Sequence, residues 1–186
     1  VTIAEEWLNS CSGCEIAILN IGEVLLDLLP ELDFVHMPVL MDHKYYGQLG
    51  DREHLEIPEA VVGIVSGGIR NAEHLEVAQE MRRRCEVLIA LGTCATHGGI
   101  PALINQFGNE ALFDRYYGTT ETTDPAPVPD QVVPPLLDRT YALDEKIRVD
   151  IYLPGCPPHP DHIAAAITAL LRGDQPELPS RSVCDT

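Results

Sequence analysis

Five short apolar runs punctuate the chain, at residues 2–8, 34–37, 61–65, 87–91 and 149–153. Stretches of helical periodicity lie between and after them. Over residues 15–29, Ile16, Leu19, Ile21, Val24, Leu25 and Leu28 recur at roughly helical spacing, and Pro30 stops the pattern, predicting one helix. Over residues 72–85, Leu75, Ala78, Met81 and Cys85 share the inner side of a second helix, and the alanine-rich residues 162–171 form a third. Residues 42–56 are polar, contain Gly47 and Gly50, and read as an excursion. Residues 118–146 are rich in proline and threonine and show little periodicity. That segment is too long for an ordinary connection, so it is a functional loop or a docking surface.

Short continuous apolar strands alternating with helices describe a parallel sheet covered on both faces. Five strands in this length predict an α/β, flavodoxin-like doubly wound fold: a mostly parallel five-stranded sheet in 2-1-3-4-5 order. One domain over residues 1–175 is expected, with 118–146 as its long loop and 176–186 as a C-terminal tail. No internal repeat is visible.

Composition narrows the class. The 186 residues are 45% hydrophobic, enough for a real core, yet no apolar run approaches the ~20 residues of a membrane span. The start, Val1-Thr-Ile-Ala-Glu-Glu-Trp-Leu, has no basic region followed by an apolar one, and Arg82-Arg83-Arg84 lies mid-chain rather than in an export signal. These features favour the cytoplasm. With 29 acidic against 12 basic residues, the net charge of −17 argues against nucleic acid and anionic lipid as partners.

Four of the six cysteines fall in three motifs, each where a predicted strand ends and a loop begins. They are Cys11-Ser-Gly-Cys14, Gly92-Thr-Cys94-Ala-Thr-His97-Gly-Gly and Pro154-Gly-Cys156-Pro-Pro. The carboxyl ends of the strands of an open α/β sheet share one edge, so the four thiols could meet there. Four thiolates suit an iron–sulfur cluster, whose soft sulfur ligands match iron and whose negative charge wants nearby backbone N–H groups. Glycines beside each cysteine, and helices starting after Cys14 and Cys156, would supply those groups. Structural zinc also takes four cysteines, although usually as two close pairs. A thioredoxin-like redox pair would use Cys11 and Cys14 alone. Scattered core thiols are the plainest alternative. His97 is a candidate ligand or proton carrier, or a residue that bonds its own loop. Glu15 could carry protons or face a partner, or simply favour a helix start. Gly67-Gly68 is a weak phosphate-loop signal. Cys85 ends the second helix as a small buried residue, and Cys184 sits in the polar tail.

Taken together and in this order, Trp7-Leu8 before C-x-x-C, then G-T-C-A with G-G-I-P-A, then L-P-G-C-P-P resemble the small electron-transfer subunit of cytoplasmic group 3 type [NiFe] hydrogenases. The resemblance runs from about residue 3 to residue 171. It implies Cys11, Cys14, Cys94 and Cys156 as ligands of one proximal [4Fe–4S] cluster, with Glu15 and His97 close by and no catalytic residue in this chain. It also implies a Ni–Fe centre in a separate large subunit and a downstream flavin or iron–sulfur subunit as acceptor. The chain would then be an enzyme only as part of a hydrogenase complex. Two departures stand out. Many relatives carry an acid where this chain has Ser66-Gly-Gly, and many continue past Ser182-Val-Cys184-Asp-Thr into a segment with further cluster cysteines. A related quinone-reducing complex I cluster subunit is the runner-up, but that family typically has adjacent cysteines in its first motif. An FMN-binding flavodoxin-like carrier and a zinc-held scaffold complete the alternatives. Residues 101–118 and 118–146 are the candidate surfaces for the large subunit.

Overall fold

The computed structural model describes residues 1–122 and 124–178. Cys184 lies outside the described residues.

A five-stranded parallel sheet is built from β1 (Thr2–Trp7), β2 (Asp33–His36), β3 (Ala60–Ser66), β5 (Cys85–Leu91) and β7 (Ile151–Leu153), in the order β2-β1-β3-β5-β7. Counted along the chain, this is the expected 2-1-3-4-5 arrangement. Between β3 and β5 lie β4 (Ile69–Asn71) and α3 (Ala72–Arg84). The remaining elements are α1 (Gly13–Leu19), α2 (Glu23–Leu28), α4 (Gly92–His97), α5 (Gly108–Phe113), β6 (Leu136–Tyr141) and α6 (Pro160–Leu171).

Each sheet face carries its own apolar layer. Ile3, Val62, Ile64, Ile89, Leu91, Ile151 and Leu153 pack against Ala17 and Ile18 of α1 and Ile163, Ala166 and Ile167 of α6. On the other face, Ala4, Val65, Leu88 and Ala90 pack against Val77, Ala78 and Met81 of α3. Alternation along β1 sends Glu5 to the first face and Glu6 to the second, and both are buried.

Several sequence expectations are corrected. The helix expected over residues 15–29 is two, because Gly22 at φ 73° turns the chain between α1 and α2. Cys85 is the first residue of β5 rather than the last of α3, although it is buried as expected. The last strand starts at Ile151, because the Asp150 carboxylate accepts the Leu88 N–H (2.9 Å) and pairs with Arg82.

Residues 118–146 are not one structureless loop. They contain β6, which pairs antiparallel with β4 to form a ribbon not foreseen from the pattern. Side chains hold that ribbon. Arg70 donates to the Leu137 carbonyl (2.7 Å), while Asn105 donates to the Thr140 carbonyl (2.9 Å) and accepts its N–H (2.8 Å). Gly67 and Gly68, between β3 and β4, allow close packing rather than cradling a phosphate. A Cβ on Gly67 would lie 2.7 Å from the Asn9 nitrogen, and one on Gly68 would lie 2.9 Å from the Tyr141 oxygen.

A second buried polar group pins the excursion after β2. Glu6 accepts from its neighbour's backbone at Trp7 (2.9 Å) and from the Tyr45 hydroxyl (2.8 Å), and it pairs with His36 (2.8 Å). His43 meets the His36 ring edge-on, with centroids 4.7 Å apart. Residues 37–57 are thus fastened to the sheet at Tyr45 through this carboxylate, and at Leu55 and Ile57 through the apolar core.

Candidate metal centre

The carboxyl ends of β1, β5 and β7 deliver the four motif cysteines to one edge of the sheet. Cys11 is exposed on the loop after β1, and Cys14 is buried in the first turn of α1. Cys94 is buried and lies in α4, not in the expected loop. Gly98 at φ 79° caps that short helix, returning its N–H to the Cys94 carbonyl (3.0 Å). Cys156 is exposed on the loop between β7 and α6.

Glycines line the space between the sulfurs. A Cβ on Gly92 would overlap the Cys14 sulfur; one on Gly99 would lie 2.9 Å from the Cys94 sulfur, and one on Gly13 3.4 Å from that of Cys11. The thiols sense one another. Burial pushes Cys14 up to about 12, and the Glu15 carboxyl, then Cys94, Cys11 and Cys156, add to the rise. Burial raises Cys94 as well, against a backbone N–H from Ile100, with Cys156 and Cys11 adding a smaller upward push. Four thiols so placed do not ionise together without a cation among them, which is what iron would provide.

Among the described residues, no three His, Cys, Asp or Glu side chains are placed to hold a single metal ion.

Glu15 lies in the first turn of α1, as a helix-start acid would, but it does not face a partner. It is buried against Glu5, and with both carboxyls ionised neither finds a hydrogen-bond donor. A proton on Glu5 turns the contact into a hydrogen bond to Glu15. Burial, followed by the Glu15 and Glu6 charges, pushes Glu5 up to about 9. Periodicity does not single out Glu5; two adjacent acids inside an otherwise apolar strand are the available signal. His97 is exposed, and its Nδ1 lies 2.7 Å from the Thr96 hydroxyl, which donates to the Gly92 carbonyl (3.1 Å). That is a histidine bonded to its own helix. Ser66 is fully buried, and its hydroxyl has no hydrogen-bond partner among the described residues.

Comparison with known proteins places this geometry in a family. The model of the NADH ubiquinone oxidoreductase, 20 Kd subunit, matches residues 11–170. A subunit of the vhu F420-non-reducing hydrogenase of Methanocaldococcus jannaschii is 41% identical over 179 residues, covering 96% of this chain and 58% of that protein. The chain thus spans a little over half the length of that relative. The NAD-reducing hydrogenase HoxS subunit delta of Cupriavidus necator is 31% identical over 185 residues, covering 97% of this chain and 83% of the other. Among solved structures, a chain of an NAD+-reducing [NiFe]-hydrogenase in the H2-reduced state superposes with a TM-score of 0.87 at 35% identity, covering 97% of this chain and 96% of that one. No helix of the described residues is long and apolar enough to cross a membrane. The chain belongs to the NADH ubiquinone oxidoreductase, 20 Kd subunit, family, in its branch of [NiFe] hydrogenase small subunits.

Proposed function

We propose that this chain is the electron-transfer subunit of a cytoplasmic [NiFe] hydrogenase complex, holding one [4Fe–4S] cluster on Cys11, Cys14, Cys94 and Cys156. Its electrons pass between the Ni–Fe centre of a separate large subunit and a flavin or iron–sulfur acceptor subunit. The observation that carries this reading is the convergence of four thiols from three strand ends on a glycine-lined space. Bound there, a cluster supplies a one-electron site whose potential is set by burial and by hydrogen bonds to sulfur.

The chain's own residues divide the work. Cys14 and Cys94 face the core, while Cys11 and Cys156 are exposed and mark the side from which a partner would approach. Burial keeps a proton on Glu5, so that carboxyl adds no charge to the region of Cys14. Trp7, Ile16, Ile100, Leu103 and Phe107 are exposed on the segments that carry or follow the cysteines, as an interface with a large subunit requires.

Iron, sulfide, zinc and nickel content, with EPR of anaerobically purified protein, tests the assignment. About four irons and four sulfides, with a reducible signal lost in Cys94→Ser, is the expected result. One zinc without sulfide would discard the relay in favour of a zinc-held scaffold. The isolated cluster-loaded chain is expected neither to consume nor to make hydrogen; measurable uptake would contradict the division between subunits. The complex I type of subunit shares the family, but C-x-x-C in the first motif and the hydrogenase relatives favour the hydrogenase reading.

A further inference from the structure

The loop that presents Cys156 makes few hydrogen bonds among the described residues. In the run Pro154-Gly-Cys-Pro-Pro-His-Pro160, four of seven residues are prolines and lack a backbone N–H. Outside the strand ladder, residues 154–157 make two hydrogen bonds, and both go to one residue. The Thr93 N–H donates to the Gly155 carbonyl (2.8 Å), and the Gly155 N–H donates to the Thr93 hydroxyl oxygen (3.2 Å). Thr93 immediately precedes Cys94, and Gly155 immediately precedes Cys156. The two loops are therefore stitched one residue upstream of each thiol.

We propose that Thr93 is a positioning residue that fixes Cys156 relative to Cys94 and thereby governs how firmly the site retains its cluster. The inference rests on the four-cysteine reading above. One of the two bonds is backbone to backbone and survives any substitution at residue 93 other than proline. The other depends on the side-chain oxygen alone. Without it the Gly155 N–H loses its acceptor, and the proline-rich loop can turn about the remaining bond. Cys156, the exposed thiol, then samples positions away from the other three.

The test compares Thr93→Val, Thr93→Ala and Thr93→Ser with the unsubstituted protein, all loaded anaerobically with iron and sulfide. Three quantities are read: the rate of iron release to a ferrous chelator, the midpoint potential of the EPR signal, and the thermal midpoint of the metal-free protein. Thr93→Val and Thr93→Ala are expected to release iron about fivefold faster, the factor for one ordinary net hydrogen bond. Their EPR midpoint is expected to shift as well. Thr93→Ser, which keeps the oxygen, is expected to restore both, and to restore the metal-free thermal midpoint that the loss of the Gly155 hydrogen bond lowers in Thr93→Ala. Equal iron release from Thr93→Ala and Thr93→Ser overturns the proposal, as does a difference confined to the metal-free thermal midpoint. If the valine variant fails to fold, the alanine–serine comparison decides. Unsubstituted protein that takes up no iron or sulfide overturns the cluster reading itself, an outcome distinct from failure of the Thr93 proposal alone.

Discussion

The carboxyls of Glu5 and Glu15 face one another between β1 and the first turn of α1, both withdrawn from water. Glu15 directly follows Cys14, so the protonation of the pair sets part of the field in which that thiol lies. Burial, with the Glu15 and Glu6 charges adding to it, keeps the proton on Glu5.

The pH dependence of stability should expose that proton. The ordinary value of the Glu5 carboxyl is 4.5, and the fold pushes it up to about 9. A carboxyl raised in this way stays protonated in the fold but loses its proton on unfolding above pH 4.5. Its contribution is therefore full below that value and declines as pH rises toward about 9. Glu5→Gln cannot ionise. In metal-free protein it should nearly match the parent at about pH 5, then become progressively the more stable, by up to about 1.4 kcal/mol per pH unit. Urea midpoints across this range measure the gap, and a gap independent of pH would mean that Glu5 is ionised in the fold.

Glu6 should behave in the opposite way to substitution. Its oxygens are spent on Trp7, Tyr45 and His36, so removing the carboxylate strands partners inside the protein. Tyr45→Phe is expected to cost about 1–2 kcal/mol, the value of one buried hydrogen bond. Glu6→Ala should cost more, about 1–3 kcal/mol for each buried donor it leaves unsatisfied. Both variants should speed protease cleavage within residues 42–56, because Tyr45 and His36 fasten that segment to the sheet. Unchanged cleavage in Glu6→Ala would show that the excursion is held by other contacts.

At the site itself, Gly92 leaves no room for a methyl group. Its Cβ would overlap the Cys14 sulfur, and its φ of 84° disfavours any other residue. Gly92→Ala should therefore fold, by far-ultraviolet circular dichroism, while retaining well under half of the parent's iron and sulfide. Full cluster content in that variant would mean that the Cys14 sulfur can withdraw without loss of the site.

What was legible in the sequence follows from how local each signal is. The five strands and the order of the sheet could be read because runs such as 62–65 and 88–91 are buried on both faces and so continuously apolar. The meeting of the cysteine loops followed from the shared strand edge. The β4–β6 ribbon was not legible, since Leu136–Tyr141 has no alternation of its own and is held by Arg70 and Asn105 from elsewhere in the chain. The division of the first helix was written at Gly22 but hidden by apolar residues that continue past it in near-helical phase. Glu5 escaped notice because alternation alone does not say that a strand carrying Glu5-Glu6 will be covered on both sides.

The last prediction concerns the face proposed to meet a large subunit. Ile100, Leu103 and Phe107 are all more than half exposed, and they follow the Cys94 helix within one turn of irregular chain and the 3₁₀ segment Pro101–Gln106. Exposed apolar side chains beside a cofactor site are what an obligate partner covers. Replacing Ile100 and Phe107 by Lys and Glu should leave cluster content and thermal midpoint near those of the parent, since neither side chain is buried in this chain. The same pair should abolish co-purification of the hydrogenase large subunit. Deleting residues 120–132, of which 121, 122 and 124–132 are exposed, should weaken co-purification less severely. If the deletion alone releases the partner while the Ile100–Phe107 pair does not, then the docking face is the proline-rich segment. The apolar residues after Cys94 would in that case face an electron acceptor instead.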